Sequence, residues 1–249
     1  TVDSLAGGPH MIVQANIRDA TAVAEMIATA VREMGRLDIL INNAGIYEDH
    51  PLAEVSYEKW QESWQLVLDT NLTGPANTTF CAAQQMIKQG GGRIVNVSSM
   101  SRYVSAPIAS SYAATKGGME AMTTCLRLEL APWNIKLSLV VPGFVDTPTF
   151  ENSREAGKEI RHDPSNPYRD LIGGLEEFTE KQLQSAISPA ETAEIVWKAA
   201  TAANPKVRYF APKSVGTAAR MFAMMPTSLA ERILLGMYKW ELRRNDDVG

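Results

Sequence analysis

The sequence predicts an α/β fold built on a doubly wound parallel sheet. Short apolar runs alternate with longer segments whose apolar residues recur at helical spacing, which indicates βαβ units. Leu37–Ile41 is apolar at nearly every position, as a strand covered on both faces requires. The chain has 249 residues, 45% hydrophobic and 21% charged, enough for one large domain or two small ones and unlike a disordered chain.

Each element has its own signal. Met11–Ile17 is a strand candidate, and Asp19 can cap the helix after it. In that helix Val23, Met26, Ile27 and Ala30 or Val31 recur at helical spacing, and Gly35 ends it. Leu37–Ile41 is the next strand. Ser56 starts a helix running towards Asn71, and a second covers about Ala76–Gln89 until Gly90-Gly91-Gly92. Arg93–Ser98 is a strand, about Ser110–Leu130 a helix ended by Pro132, and Ile135–Val141 a strand stopped by Pro142-Gly143. From Phe144 to about Ser188 the pattern loosens around Pro148, Pro164 and Pro167, which predicts a substrate loop or lid. Pro189–Ala203 reads as a helix and Val207–Phe210 as a last strand.

Residues 212–249 form a tail rich in Met and Leu, and from Lys206 onward eight basic residues face four acidic ones. Two readings stand: an amphipathic helix packed on its own domain, or one that meets a membrane surface or a partner. The chain thus divides into residues 1–211 and a helical tail, 212–249.

Composition narrows the function. A net charge of −4 argues against a nucleic-acid partner. Cys81 and Cys125 lack zinc-type spacing and suit a reducing, cytoplasmic setting. His10, His50 and His162 are scattered, so no metal site is expected. No uncharged apolar run is long enough to predict a transmembrane helix, and no signal-peptide pattern follows Thr1.

Chemistry concentrates in a few places. Tyr112 and Lys116 stand four apart near a helix start, on one face. A nearby ammonium favours the phenolate, so the pair could exchange a proton with an alcohol or carbonyl near neutral pH. Tyr209 and Lys213 share the spacing, but Pro212 between them disfavours a common helix face. Ser98 and Ser99 follow an apolar strand at its carboxyl end, where open α/β sheets place ligands, although two serines could equally cap a turn. Asn71, shortly before Gly74-Pro75, marks either a helix end or a kink that frees a backbone carbonyl to hold a water. Asn42-Asn43-Ala44-Gly45 is either a close backbone approach or an ordinary turn.

Together these pieces resemble the short-chain dehydrogenase/reductase family. The matching motifs are Asn42-Asn43-Ala44-Gly45, Asn71, the serine after Arg93-Ile94-Val95-Asn96-Val97, Tyr112-x-x-x-Lys116, and Pro142-Gly143 with Thr147. Ser99 precedes Tyr112 by 13 residues and Pro142 follows it by 30, so the spacing matches too. The resemblance covers about residues 10–210 and implies a Rossmann-like sheet. It makes Tyr112 the general acid/base and assigns Ser99, rather than Ser98, to the substrate oxygen. Lys116 would lower the tyrosine pKa and bond the nicotinamide ribose, and Asn71 would keep a water in the proton relay. Asn16 and Ile17 would line the adenine pocket. Asn43, Ala44 and Gly45 would border the cofactor, and Pro142, Gly143, Val145 and Thr147 would face the nicotinamide.

One departure is large. The family opens with a strand and a Thr-Gly-x-x-x-Gly-x-Gly turn that holds the pyrophosphate. No such motif occurs in this sequence, and Gly7-Gly8 is not in register with it. By family register the first two strands are expected to be absent, about one βαβ unit of roughly 30 residues or more. Met11–Ile17 should then dock beside Leu37–Ile41, or an edge should be left open. NAD and NADP are not distinguished, because the strand that reads the 2′-group is among those expected to be absent.

The resemblance implies an NAD(P)-dependent oxidoreductase that interconverts a secondary alcohol and a carbonyl. The alternative is a catalytically silent binding or assembly module of the same fold. Phe144, Phe150 and the apolar tail suggest a lipophilic substrate, nearer to relatives acting on steroids or retinoids than to compact acyl-carrier reductases. A homo-oligomer, dimer or tetramer, is implied, paired through the helices that carry Asn71 and Tyr112.

Overall fold

The computed structural model describes residues 10–147 and 165–238. Among these residues four strands form one parallel sheet in the order β1-β2-β3-β4: β1 (Ile39–Asn42), β2 (Gly92–Val97), β3 (Ile135–Pro142) and β4 (Arg208–Ala211). Helices cover both faces, because successive side chains of the inner strands point alternately up and down. Ile94 and Leu137 pack with Val23 and Ile27 of α1 (Ala20–Met34), Met86 of α3 (Gly74–Lys88) and Leu130. Val95 and Val140 face the opposite way, onto Ala199 and Ala200 of α6 (Pro189–Thr201).

Helix ends follow local chemistry. The Asp19 carboxylate accepts from the Thr21 and Ala22 amides at 2.8 and 3.2 Å, and Gly35 closes α1 at φ 82° in the left-handed region. Ser188 and Glu191 form a capping box at the start of α6. Gly90 and Gly91, both with positive φ, turn the chain from α3 into β2.

The helix expected from Ser56 and the one expected from about Ala76 are continuous. α2 (Tyr57–Leu68) passes through a π-helical turn, Asp69–Thr73, directly into α3. Pro75 has no N–H, so the usual α-helical donor to the Asn71 carbonyl is missing there, and the widened turn accommodates the gap.

Three expectations are corrected. Met11–Ile17 forms no strand. Its end is held by the helical layer instead: Asn77 donates to the Ile17 carbonyl at 3.1 Å, and Ile17 lies so close to Gly74 that a Cβ there would stand 2.6 Å from its Cδ1. Consequently, among the described residues, β1 is bonded along one side only, and Ile41 is 43% exposed. Residues 144–188 are not loose throughout, because Arg169–Leu183 is a helix, α5, with Leu171 and Ile172 buried. The tail holds two helices rather than one, α7 (Val215–Met224) and α8 (Thr227–Met237), since Pro226 breaks the run between them. Pro148, Phe150 and Pro164 lie outside the described residues, as does the tail beyond Tyr238. Cys81 and Cys125 are free thiols.

Candidate active site

Tyr112 sits in the first turn of α4 (Ser110–Glu129), and Lys116 follows one turn later on the same face. The Lys116 ammonium lies 5.4 Å from the centre of the Tyr112 ring and donates to the Val97 carbonyl at 3.0 Å. Burial pulls its pKa down to about 8. Burial also pushes the Tyr112 hydroxyl above its usual range, and only a hydrogen bond with the Ser99 side chain acts in the opposite direction. The expected depression of the tyrosine by the lysine is therefore not the dominant effect. Desolvation raises the tyrosine pKa instead, because burial disfavours the charged phenolate.

The two serines at the end of β2 separate cleanly. The Ser98 amide donates to the Val140 carbonyl at 2.8 Å and its buried hydroxyl points to the Lys116 carbonyl at 3.4 Å, so it ties β2 to α4. Ser99 faces Tyr112 and also accepts from the Ser101 amide at 3.1 Å.

Asn71 is fully buried, and its side-chain amide clamps the chain beyond β1. Its Nδ2 donates to the Ile46 carbonyl and its Oδ1 accepts from the Ile46 amide, both at 2.8 Å. Between β1 and this clamp run Asn43, Ala44 and Gly45, all exposed. A Cβ on Gly45 would lie 3.3 Å from Asn71 Oδ1 and 3.7 Å from Lys116 Nζ, so the glycine backbone passes directly over both. On the far side, β3 ends at buried Pro142, and the Gly143 amide donates to the Ala211 carbonyl at 2.8 Å. Val145 bridges to Ile187, and Thr147 closes the described part of that segment.

Asn71, Ser99, Tyr112, Lys116, Gly45 and Gly143 thus gather at the carboxyl ends of the strands. Asn16 and Ile17, expected on the adenine side, lie just before α1. The Asn16 side chain accepts from Arg18, and Ile17 packs on α3.

Above Ser99 lies a mostly apolar cavity of about 330 Å³. Met100, Ile108, Phe144 and Phe178 line it, together with Phe222 and Met237 of the tail helices. Phe144 and the apolar tail were expected near the substrate, whereas motif spacing did not reveal Met100, Ile108, or Tyr47 and Asp49, which stand just past the Asn43–Gly45 turn. The Tyr47 ring meets Tyr112 edge-on at 5.0 Å. Its hydroxyl bonds the Asp49 side chain, and burial raises the Asp49 pKa to about 6. The only signal in the sequence was an acid beside aromatic residues, which is too common to single out.

A buried polar chain stands behind the site. Asn42 Nδ2 donates to Asn96 Oδ1 at 2.8 Å and to Thr79 at 3.1 Å, and Asn96 Nδ2 donates to Thr123 at 2.8 Å. These bonds cross-link β1 and β2 to α3 and α4, so the first residue of the Asn42–Gly45 motif is structural.

A family model for short chain dehydrogenases matches residues 2–158. The chain belongs to this family. The match begins ahead of the first motif read from the sequence and stops before α5, so the cavity walls from α5, α7 and α8 lie beyond it. Among curated relatives, the 3-oxoacyl-[acyl-carrier-protein] reductase FabG of Thermotoga maritima is 39% identical over 144 residues, 58% of this chain and 57% of that protein. The short-chain reductase protein NovJ of Streptomyces niveus is 37% identical over 150 residues, 60% of this chain and 55% of that protein. The chain therefore matches less than two thirds of the length of such relatives. Among solved structures, a short-chain dehydrogenase from Streptomyces avermitilis superposes with a TM-score of 0.67 at 22% identity, covering 91% of this chain and 77% of that one. That likeness extends the fold to the tail region.

Proposed function

We propose that the chain carries the catalytic residues of an NAD(P)-dependent oxidoreductase interconverting a secondary alcohol and a carbonyl on a lipophilic substrate. The observation that carries this is the hydrogen bond between the Tyr112 and Ser99 side chains, with Ser99 lining an apolar cavity and the Lys116 ammonium 5.4 Å from the Tyr112 ring centre.

The residues fit the nicotinamide-ribose half of a dinucleotide. The Asn43–Gly45 turn is exposed, and a Cβ on Gly45 would crowd Asn71 Oδ1 at 3.3 Å and touch Lys116 Nζ at 3.7 Å. Asn43, Ala44, Gly45 and Lys116 would hold the ribose side, and Pro142, Gly143, Val145 and Thr147 the nicotinamide. When bound, the nicotinamide supplies or takes the hydride. In the reduction direction Ser99 and Tyr112 donate hydrogen bonds to the carbonyl oxygen, and Tyr112 gives up its proton as that oxygen becomes an alkoxide. Lys116 steadies the phenolate left behind, and the first turn of α4 adds the positive end of its dipole. Burial of Tyr112 and Lys116 lowers the local dielectric, which strengthens these interactions.

Substrate class rests on the walls. Phe144, Phe178, Phe222 and Met237 favour an aliphatic or ring body over a sugar. The FabG name of some relatives points to 3-oxoacyl thioesters, which also carry an apolar chain. Because α5, α7 and α8 lie outside the family match, their lining decides the substrate here. Exposed Phe80 on α3 and Leu128 on α4 suit pairing of two copies through these helices. Exposed Met221, Met224 and Leu229 beside Arg220 and Arg232 suit peripheral contact with an anionic bilayer.

Titration with NADH and NADPH, followed by nicotinamide fluorescence, tests the reading. Saturable binding supports it and identifies the preferred cofactor. Failure of a folded chain to bind either one favours a silent module of this fold, a reading motivated by a sequence with no Thr-Gly-x-x-x-Gly-x-Gly turn. Replacing Tyr112 by Phe should cost on the order of 10²–10⁴ in turnover and leave cofactor affinity within a few-fold. Undiminished turnover rules the mechanism out.

A further inference from the structure

We infer that Asp49 is a specificity-determining carboxylate, selecting substrates that carry a second hydrogen-bond donor, a hydroxyl or an amine, besides the carbon that reacts. The inference rests on the cavity being the substrate site.

Asp49 lines the same apolar cavity as Ser99. Its Oδ1 is sealed from solvent and has no hydrogen-bond partner among the described residues. The Tyr47 hydroxyl bonds the Asp49 side chain, and Tyr47 in turn packs against Tyr112, which fixes the carboxyl next to the reacting centre. A buried acceptor left unmatched costs free energy, and an apolar wall would serve a purely hydrocarbon substrate better. Burial raises the Asp49 pKa to about 6, as expected of a carboxylate facing apolar surroundings. Glu176 of α5 lines the same cavity. Neither residue is needed to move the Tyr112 proton, since Ser99 and Lys116 already surround that group. What Asp49 offers is an acceptor for a donor group on the bound molecule, and an ionised acceptor is worth more than a neutral one.

The test uses methyl ketones of one chain length, unsubstituted or carrying one hydroxyl or one amino group at successive carbons. Dissociation constants are measured by calorimetry on the 249-residue chain, with and without NADPH. The best donor-bearing ketone should bind on the order of tenfold or more tighter than the unsubstituted one. Asp49→Leu should abolish that ratio. Asp49→Asn, the gentler change, should abolish the preference for the amine and keep part of that for the hydroxyl, because an amide oxygen still accepts. Each ratio is internal to one variant, so altered folding cannot imitate the result.

A ratio near one in the wild type, or one unchanged in both variants, overturns the inference while leaving the cavity as the substrate site. If the wild type binds no ketone at all, the site assignment itself falls and the role of Asp49 falls with it. The NADH and NADPH titration is independent of either outcome.

Discussion

The ring of Tyr47 meets that of Tyr112 edge-on, with centroids 5.0 Å apart and planes at 66°. An edge-to-face pair adds about 0.5–1.5 kcal/mol beyond the area it buries, and here it packs against the tyrosine proposed to transfer the proton. Tyr47→Phe keeps the ring and should hold turnover within about threefold, a modest change for a preserved contact. Tyr47→Ala leaves a hole beside Tyr112 and should lower stability by about 2–4 kcal/mol, with turnover falling at least about tenfold from misplacement. Denaturant midpoints and steady-state rates check this. Equal rates for the Ala and Phe variants would show that Tyr47 does not position Tyr112.

Asp49 should weaken the fold at neutral pH. Its folded pKa of about 6 stands above the usual 3.8, so the native state holds the proton more tightly than the unfolded chain. The resulting stability is fully present below about pH 4 and is lost as pH rises through 6. Asp49→Asn should therefore be more stable than the wild type at pH 7 by about 1–2 kcal/mol, after discounting for partial exposure, and no more stable at pH 4. Urea midpoints across that range decide it. A difference that grows towards acid would contradict the raised pKa.

Lys116 shows the same conflict between stability and chemistry. Its folded pKa, about 8, lies below the usual 10.5, so its charge burdens the native state below pH 8, and that cost fades between 8 and 10.5. Lys116→Met removes the burden but leaves the Val97 carbonyl without its donor, a loss of about 1–3 kcal/mol. The variant should be about as stable as the wild type at pH 7, within ~1 kcal/mol, while turnover falls at least about a hundredfold. Wild-type turnover should also decline as pH passes about 8 and the ammonium is lost. Strong destabilisation of the variant at pH 7 would mean that the lysine mainly supports the fold.

Legibility in the sequence followed the range of the interactions involved. Tyr112 and Lys116 were legible because helical spacing alone places them together, and Leu37–Ile41 because burial on both faces leaves a continuous apolar run. Ser99 could be separated from Ser98 only through the family resemblance, since the difference lies in which hydroxyl turns to Tyr112 and which to the Lys116 carbonyl. The apolar content of Met11–Ile17 suits a strand but says nothing of a partner. Ile17 settled on Gly74 of α3 and no strand formed. Prolines and charges around Arg169–Leu183 suggest a loop with short helical patches, whereas Leu171 and Ile172 bury one face of a 15-residue helix. The Tyr47–Asp49 pair and the cavity roof come from contacts across separate elements, which no local pattern encodes.

Two neighbouring glycines of α5 test how the tail closes that roof. A Cβ on Gly173 would meet nothing within 4 Å, whereas one on Gly174 would lie 1.9 Å from the Tyr238 carbonyl oxygen. Backbone cannot rotate aside as a long side chain can, so Gly174→Ala must push the end of α8 away from α5. The Tyr238 ring, now edge-on to Phe178 at 5.4 Å, would move with it, and both rings line the cavity. Gly173→Ala should stabilise the chain by up to about 1 kcal/mol, through helix propensity alone. Gly174→Ala should destabilise it by about 1–3 kcal/mol. It should also speed amide exchange across 227–238 and weaken ketone binding several-fold, with exchange in the strands unchanged. Exchange mass spectrometry on the two variants separates these effects. If both alanines behave alike, the tail is not seated on Gly174, and Met237 and Tyr238 do not form the roof.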